Sequence, residues 1–230
     1  MTAELPIFME VVAGVLADAE GRVLLAARPA GKAFAGRWEF PGGKVDLGEL
    51  PERALVRELM EELGVVAGVE DCQKFLTVTH RYPGADRGVR ITAYRVRNYR
   101  GVAQGREGQS LAWHFCRDLP QVDILEADRP IVTALRLGES IDLTRLSSDA
   151  QVHVGLASFR PADSTSQMAG VILDFASEAD AAQRAGADFI FLVRAPTPEE
   201  IEMLLQIGLP WYVRSPQIQA GANGIWRGSY

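Results

Sequence analysis

Residues 43–65 of this 230-residue chain set glycines, acids and an arginine at fixed intervals: Gly43, Glu49, Arg57-Glu58, Glu61-Glu62, Gly64 and Val65. No other stretch constrains the fold as much, because these intervals read as a loop feeding one helix. Pro51 suits a first helical turn, where its missing N–H has no partner to lose, and Gly64 suits a helix end. Ala54, Leu55, Leu59 and Leu63 recur at helical spacing and supply an apolar stripe. Glu58, Glu61 and Glu62 stand at i, i+3 and i+4 and share one helix face. Three like charges there repel unless a cation sits among them. Oxygen-only donors suit a hard divalent cation such as Mg²⁺, or Mn²⁺ as its equivalent, which keeps waters and binds substrate phosphates. Arg57 is an ion-pair partner for Glu49, holding the preceding loop against the helix. An isolated Glu-rich segment is more often a solvated helix face. Here the acids stand in register with Gly43, Glu49, Arg57 and Gly64, which argues for a site.

The segment resembles the Nudix box, G-x5-E-x7-R-E-U-x-E-E-x-G-U with U aliphatic, and each fixed position matches. Three further runs resemble MutT-type Nudix hydrolases, in the expected order: Trp38-Glu39-Phe40-Pro41-Gly42-Gly43-Lys44, Gly105-Arg106-Glu107-Gly108-Gln109 and Ala127-Asp128-Arg129-Pro130-Ile131. The resemblance covers residues 8–137. It implies an α/β fold, the Nudix α/β/α sandwich with a mixed sheet. It implies hydrolysis of nucleoside triphosphates to monophosphate and pyrophosphate, with oxidised guanine nucleotides such as 8-oxo-dGTP preferred. Residue by residue, it implies that Glu58, Glu61 and Glu62 hold the metal with help from the Gly42 carbonyl. Glu107 reaches the metal or activates water, and Glu58 or Glu107 is the base. Arg28 and Lys44 are candidate phosphate contacts, and Phe40 lies against the base or the pocket wall. Asp128 stands where MutT has the asparagine that reads the base. An ionised aspartate only accepts hydrogen bonds, so donation to a guanine oxygen requires a protonated carboxyl and a raised pKa. A helix cap is the other job open to Asp128.

Strand patterning around the box is consistent with that fold. Val11–Leu16 and Val23–Ala27 read as a hairpin, followed by a Gly- and Ala-rich loop over 29–37. Gln73–His80, Val89–Val96 and Leu111–Cys116 read as strands, and Ile131–Leu137 as a helix. The polar segment 138–150 reads as a linker, dividing a Nudix domain (1–137) from a second domain (151–230). The second domain alternates strands (Val152–Ala157, Gly170–Phe175, Asp188–Val193, Pro210–Val213) with helices (Glu178–Ala185, Pro198–Ile207), the signature of βα repeats and a parallel sheet. Residues 185–192 and 221–225 resemble pieces of thiamine-phosphate-synthase and TenI-like barrels. Eighty residues make about half of a (βα)₈ barrel, and Arg214-Ser215-Pro216 stands where a Gly-Gly turn is expected, so the reading is a partial, inactive barrel. Its exposed strand edges favour homodimerisation.

A net charge of −6 argues against binding a nucleic acid polymer through a basic surface, though not against a single nucleotide. Cys72 and Cys116 lack metal-site spacing and read as free thiols in a reducing compartment. With no signal-peptide pattern and no membrane-length apolar run, a cytoplasmic location is expected. The alternatives are a diphosphatase for another nucleotide, a nucleotide sugar or a thiamine-pathway diphosphate, or a non-catalytic regulator binding a nucleotide or thiamine phosphate.

Overall fold

The computed structural model describes residues 8–137, 140–142, 150–154, 168–173, 178–192, 196–204, 207, 209–213 and 224–227. The chain divides into two units, Met1–Asp128 and Arg129–Tyr230.

The first unit runs β1 (Phe8–Leu16), β2 (Val23–Ala27), β3 (Trp38–Glu39), β4 (Gly42–Lys44), α1 (Pro51–Leu63), β5 (Cys72–His80), β6 (Gly88–Val96) and β7 (Leu111–His114). Its strands form a four-stranded sheet in the order β4-β1-β6-β5 and a three-stranded sheet in the order β3-β2-β7. The larger sheet is mixed: β1 pairs parallel with β6, while β4 and β5 run antiparallel to their neighbours. The expected hairpin of β1 and β2 is corrected by this topology. Both edges of β1 are already taken by β4 and β6, so β2 crosses into the second sheet. Only the single bridge Ala17–Val23 survives between them.

The apolar stripe read from the sequence is the buried face of α1. Ala54, Leu55, Leu59 and Leu63 are sealed against Val12, Leu16, Leu24, Tyr94 and Val96, so the helix packs on residues from both sheets. Burying the three leucines contributes roughly 5–9 kcal/mol before chain entropy is counted. Pro51 opens the helix, and Gly64 closes it in the left-handed region at φ 69°, its N–H turned back to the Leu59 and Met60 carbonyls. With one face committed to the core, Glu58, Glu61 and Glu62 are left on the other side.

The second unit begins with α2 (Arg129–Leu137), the helix expected at 131–137. The segment read as a linker carries β8 (Ser140–Asp142). The remaining elements are β9 (Ala150–Val154), β10 (Met168–Leu173), α3 (Ala179–Arg184), β11 (Phe189–Leu192), α4 (Pro198–Leu204), β12 (Trp211–Val213) and β13 (Gly224–Arg227). Among the described residues the pairings of this unit are parallel, in the order β8-β13-β12-β11-β10-β9. Strands β9 to β13 follow one another as βα repeats should, and β8 flanks β13. Ile190, Leu192, Leu173 and Trp211 pack with Ala179, Ala182 and Leu204 of the helices. Phe191 meets Phe189 edge-on and Tyr212 at a tilt. The Arg214-Ser215-Pro216 turn and residues 221–223 of the barrel-like run lie outside the described residues. No helix among the described residues is long and apolar enough to cross a membrane.

Candidate active site

Two strands and two loops converge on the acidic face of α1. Strand β4 passes directly over Glu58: a Cβ built on Gly43 would stand 2.4 Å from the Glu58 carboxyl carbon, so any larger residue there would displace that carboxylate. A Cβ on Gly42 would meet the Val12 carbonyl oxygen at 2.1 Å, and its φ of 152° is one that L side chains rarely adopt. The two glycines therefore let the chain run between β1 and the helix. In that position the Gly42 N–H donates to Glu62 Oε2 at 3.2 Å.

Arg57 is the hub of the acidic face. Its Nε and Nη2 donate to the two Glu49 carboxylate oxygens at 3.1 and 2.8 Å, the loop–helix tie expected from the sequence. Nη2 also reaches the Lys44 carbonyl at 3.0 Å, while Nη1 reaches Glu58 at 2.8 Å and Glu61 at 3.3 Å. These acceptors raise the Arg57 pKa still further, through Glu49 first and Glu58 next. Glu49 is held below the usual carboxylate range by Arg57.

Glu107 is delivered by a loop that docks on the open end of α1. The last carbonyls of a helix lack partners within it. Here Gln104 N–H donates to the Leu63 carbonyl, Arg106 N–H and Gln109 Nε2 donate to the Glu62 carbonyl, and Arg106 Nη1 reaches the Met60 carbonyl. Gln109 is buried, and its side-chain oxygen accepts the Glu107 N–H at 2.8 Å. Glu107 then meets Lys32 Nζ at 2.8 Å.

Burial pushes the Glu62 carboxyl up to about 7, a shift the Gly42 amide opposes and the charges of Glu39, Glu58 and Glu107 reinforce. Convergent negative charge and oxygen-only donors fit a hard cation held by Glu58, Glu61 and Glu62. Among the described residues, no three His, Cys, Asp or Glu side chains already stand as a metal cluster. Arg57 and Lys32 instead occupy oxygens of Glu58, Glu61 and Glu107.

Beside this face lies a cavity of about 340 Å³, whose wall includes Val12, Phe34, Phe40, Tyr82, Leu125 and Asp128. Gly42 borders it too and so joins cavity and acidic face. Phe40 is 3% exposed and part of that wall. Its N–H donates to Asp128 Oδ2 at 3.0 Å. Asp128 is 4% exposed, and burial pushes its carboxyl up to about 7, with the Phe40 amide opposing. Arg28 also borders the cavity but is already engaged: Nη1 pairs with Glu39 at 2.5 Å and Nε donates to the Ala33 carbonyl at 2.6 Å. Lys44 is exposed at the end of β4.

The structure thus gathers Gly42, Glu49, Arg57, Glu58, Glu61, Glu62 and Glu107 around α1, and Phe40, Asp128 and Arg28 around the cavity. Sequence reasoning missed Glu39, Lys32, Arg106 and Gln109 as positioning groups. Three of these lie inside runs already singled out, whereas nothing in the Gly- and Ala-rich loop marks Lys32.

The family described as NUDIX domain matches residues 8–135. A CTP pyrophosphohydrolase from Escherichia coli strain K12 is 38% identical over 126 residues, covering 55% of this chain and 90% of that protein. An 8-oxo-dGTP diphosphatase from Proteus vulgaris is 36% identical over 107 residues, covering 46% of this chain and 92% of that protein. The solution structure of the E. coli ORF135 protein superposes with a TM-score of 0.50 at 36% identity, covering 56% of this chain and 89% of that one.

Proposed function

The chain belongs to the Nudix family and hydrolyses a diphosphate bond, and from that premise we propose that it is a Mg²⁺-dependent nucleoside triphosphate diphosphatase acting on oxidised guanine nucleotides such as 8-oxo-dGTP. The observation that carries the reading is the shared border at Gly42 between the acidic face of α1 and the cavity holding Asp128. A nucleotide spans such a pair of sites, with its base in the cavity and its phosphates toward the carboxylates.

In this reading Glu58, Glu61, Glu62 and Glu107 would hold a divalent cation, with Mn²⁺ able to replace Mg²⁺. Bound there, it would neutralise phosphate charge and favour attack by water. A Glu58 or Glu107 carboxylate oxygen takes the water proton as the water oxygen attacks phosphorus in line. The bond to the bridging oxygen breaks, and the nucleoside monophosphate and pyrophosphate separate. Arg57 keeps Glu49 and the preceding loop in place and needs no contact with substrate. Arg28 and Lys44 are the phosphate contacts in this reading. Arg28 must keep or exchange its Glu39 partner, because a lone Glu39 carboxylate would be largely buried.

Asp128 reads the base. Its Oδ2 already accepts the Phe40 amide. With the carboxyl raised to about 7, both protonation states are accessible near neutrality. The ionised form accepts from guanine N1–H and N2–H, and the protonated form donates to O6 or O8. The same acceptor suits the amino group of cytosine, which favours CTP as the second reading, as does the 38% identity to a CTP pyrophosphohydrolase. We further propose that residues 1–137 form the catalytic domain and that 151–230 is a partial, inactive barrel of the thiamine-phosphate-synthase kind, a reading supported by the parallel order of β9 to β13, onto which β8 of the segment read as a linker adds.

The test is steady-state hydrolysis with Mg²⁺ of 8-oxo-dGTP, dGTP, CTP, ADP-ribose and thiamine diphosphate side by side, with products identified. The expected outcome is kcat/KM for 8-oxo-dGTP well above dGTP and CTP, with pyrophosphate released. A preference for CTP moves the protein to the second reading. Turnover of ADP-ribose or thiamine diphosphate alone discards both.

A further inference from the structure

Lys32 is the side chain near the acidic face that neither the box nor the cavity accounts for. It lies on the loop between β2 and β3, whose base is pinned by Arg28 N–H to the Arg37 carbonyl and Gly36 N–H to the Arg28 carbonyl, both at 2.9 Å. Gly31 and Gly36, both at positive φ, let that loop fold back on itself. Its tip brings the Lys32 ammonium to Glu107, seventy-five residues away in sequence, at 2.8 Å. The ammonium so placed is a cation beside the carboxylates that the proposed reaction uses.

We propose that Lys32 is an exchangeable internal counter-ion: it holds Glu107 in the substrate-free protein and passes to a phosphate oxygen of the bound nucleotide, releasing Glu107 to the cation site. The proposal rests on the diphosphatase reading and adds to it a phosphate-binding residue that also sets when Glu107 becomes available.

Exposure decides which cation can make this move. The Lys32–Glu107 pair is half open to solvent, at 50% and 43%, and such pairs are cheap to separate. Arg28 is bound more firmly: its side chain and that of Glu39 are 23% and 25% exposed, and a second donor reaches the Ala33 carbonyl. Separating them would leave a largely buried charge alone. Arg57 has its guanidinium shared among Glu49, Glu58, Glu61 and the Lys44 carbonyl, so it is fixed in place. Lysine also suits exchange chemically. Its ammonium is a point charge on a flexible stem that can donate to a carboxylate or to a phosphate.

The test compares the full-length protein with Lys32→Met, Lys32→Arg and Glu107→Gln, and with Lys32→Met combined with Glu107→Gln. Free Mn²⁺ is titrated by electron paramagnetic resonance without nucleotide, and KM and kcat are measured separately for 8-oxo-dGTP with Mg²⁺. The exchange role requires changes of opposite sign. Removing the internal competitor should tighten Mn²⁺ about twofold to fivefold. Losing the phosphate contact should raise KM about tenfold. Lys32→Arg, which keeps the charge but not the point-charge geometry, should raise KM less than Lys32→Met and give no Mn²⁺ gain, and the Lys32→Met gain should vanish in the Glu107→Gln background. A residue that merely braces the loop would weaken Mn²⁺ or leave it unchanged, and that result overturns the proposal, as does an unchanged KM. If wild type turns over the nucleotide while Lys32→Met matches it in both readouts, the proposal alone is lost. If wild type binds Mn²⁺ but hydrolyses no nucleotide, the diphosphatase reading falls and takes the phosphate contact with it.

Discussion

The acidic face of α1 and the cavity beside it meet at Gly42, yet they treat charge in opposite ways. On the helix face, Arg57 donates to Glu49, Glu58 and Glu61 together and holds Glu49 below the usual carboxylate range. In the cavity, Asp128 has a backbone amide for a partner and almost no solvent, and its carboxyl is pushed up to about 7. Glu62 stands between the two regimes: it is near the face, but its acceptor bond is also from a backbone amide, and burial raises it to about 7 as well. The lesson is that a shared cation keeps a carboxylate charged, while one neutral donor does not offset desolvation. In the proposed reading, the face would meet the phosphates and the cavity the base.

The largest effect should come from Glu62→Gln, which breaks the charged side of this contrast. Losing a group held for the cation should lower kcat/KM by roughly 10²–10⁴, or about 3–5 kcal/mol of transition-state stabilisation. The fold should survive. Glu62 is raised above its ordinary value, so its ionised form destabilises the metal-free protein above pH 7, and glutamine removes that cost. Equal activity in Glu62→Gln would remove this residue from the mechanism. A thermal midpoint at pH 8 well below wild type would assign it to structure instead.

Asp128→Asn tests the neutral side. The carboxyl rises from an ordinary 3.8 to about 7, so between those values the folded state keeps a proton that the unfolded state has lost. Stability from this group is therefore present below about pH 4 and drains away as pH rises to 7. Asparagine still offers the Phe40 amide a carbonyl and has no charge to bury. The variant should match wild type near pH 4 and exceed it at pH 8, by up to about 4 kcal/mol at 1.36 kcal/mol per unit. Urea unfolding at both pH values measures the difference, and parallel curves across the range would show that Asp128 is not desolvated.

How legible these regions were follows from how each is assembled. The acidic face comes from consecutive turns of one helix, so spacing alone placed Glu58, Glu61 and Glu62 together, opposite the leucines. Arg57 with Glu49 was legible for the same reason. The cavity is built from segments as distant as Val12, Phe34, Tyr82 and Asp128, and no periodicity joins them. Asp128 was noticed only through family resemblance. Its hydrogen bond to Phe40 depends on a contact across eighty-eight positions. The β1–β2 pairing was misread because local alternation cannot report that both edges of β1 are filled by strands further along the chain. Lys32 carried no signal, since a lysine in a small-residue loop reads as ordinary surface.

The smallest predicted effect sits at the cavity mouth and separates strain from recognition. Phe34 is the non-glycine residue at positive φ, 59°, among the described residues, and it is 44% exposed. Its ring lies 4.7 Å from Tyr82, which meets His80 edge-on at 4.4 Å. A left-handed backbone costs on the order of 1–2 kcal/mol for a residue with a side chain, and an aromatic pair returns about 0.5–1.5 kcal/mol. Phe34→Gly removes both, so the two nearly cancel and stability should change by less than about 1 kcal/mol. Binding has no such cancellation. The Phe34 ring borders the cavity, and the substrate base would lose one stacking face. KM should rise several-fold with kcat little changed, because the contact holds ground state and transition state alike. A marked loss of stability with KM intact would mean that the aromatic pair anchors the loop and that the base seeks its stacking partner elsewhere in the cavity.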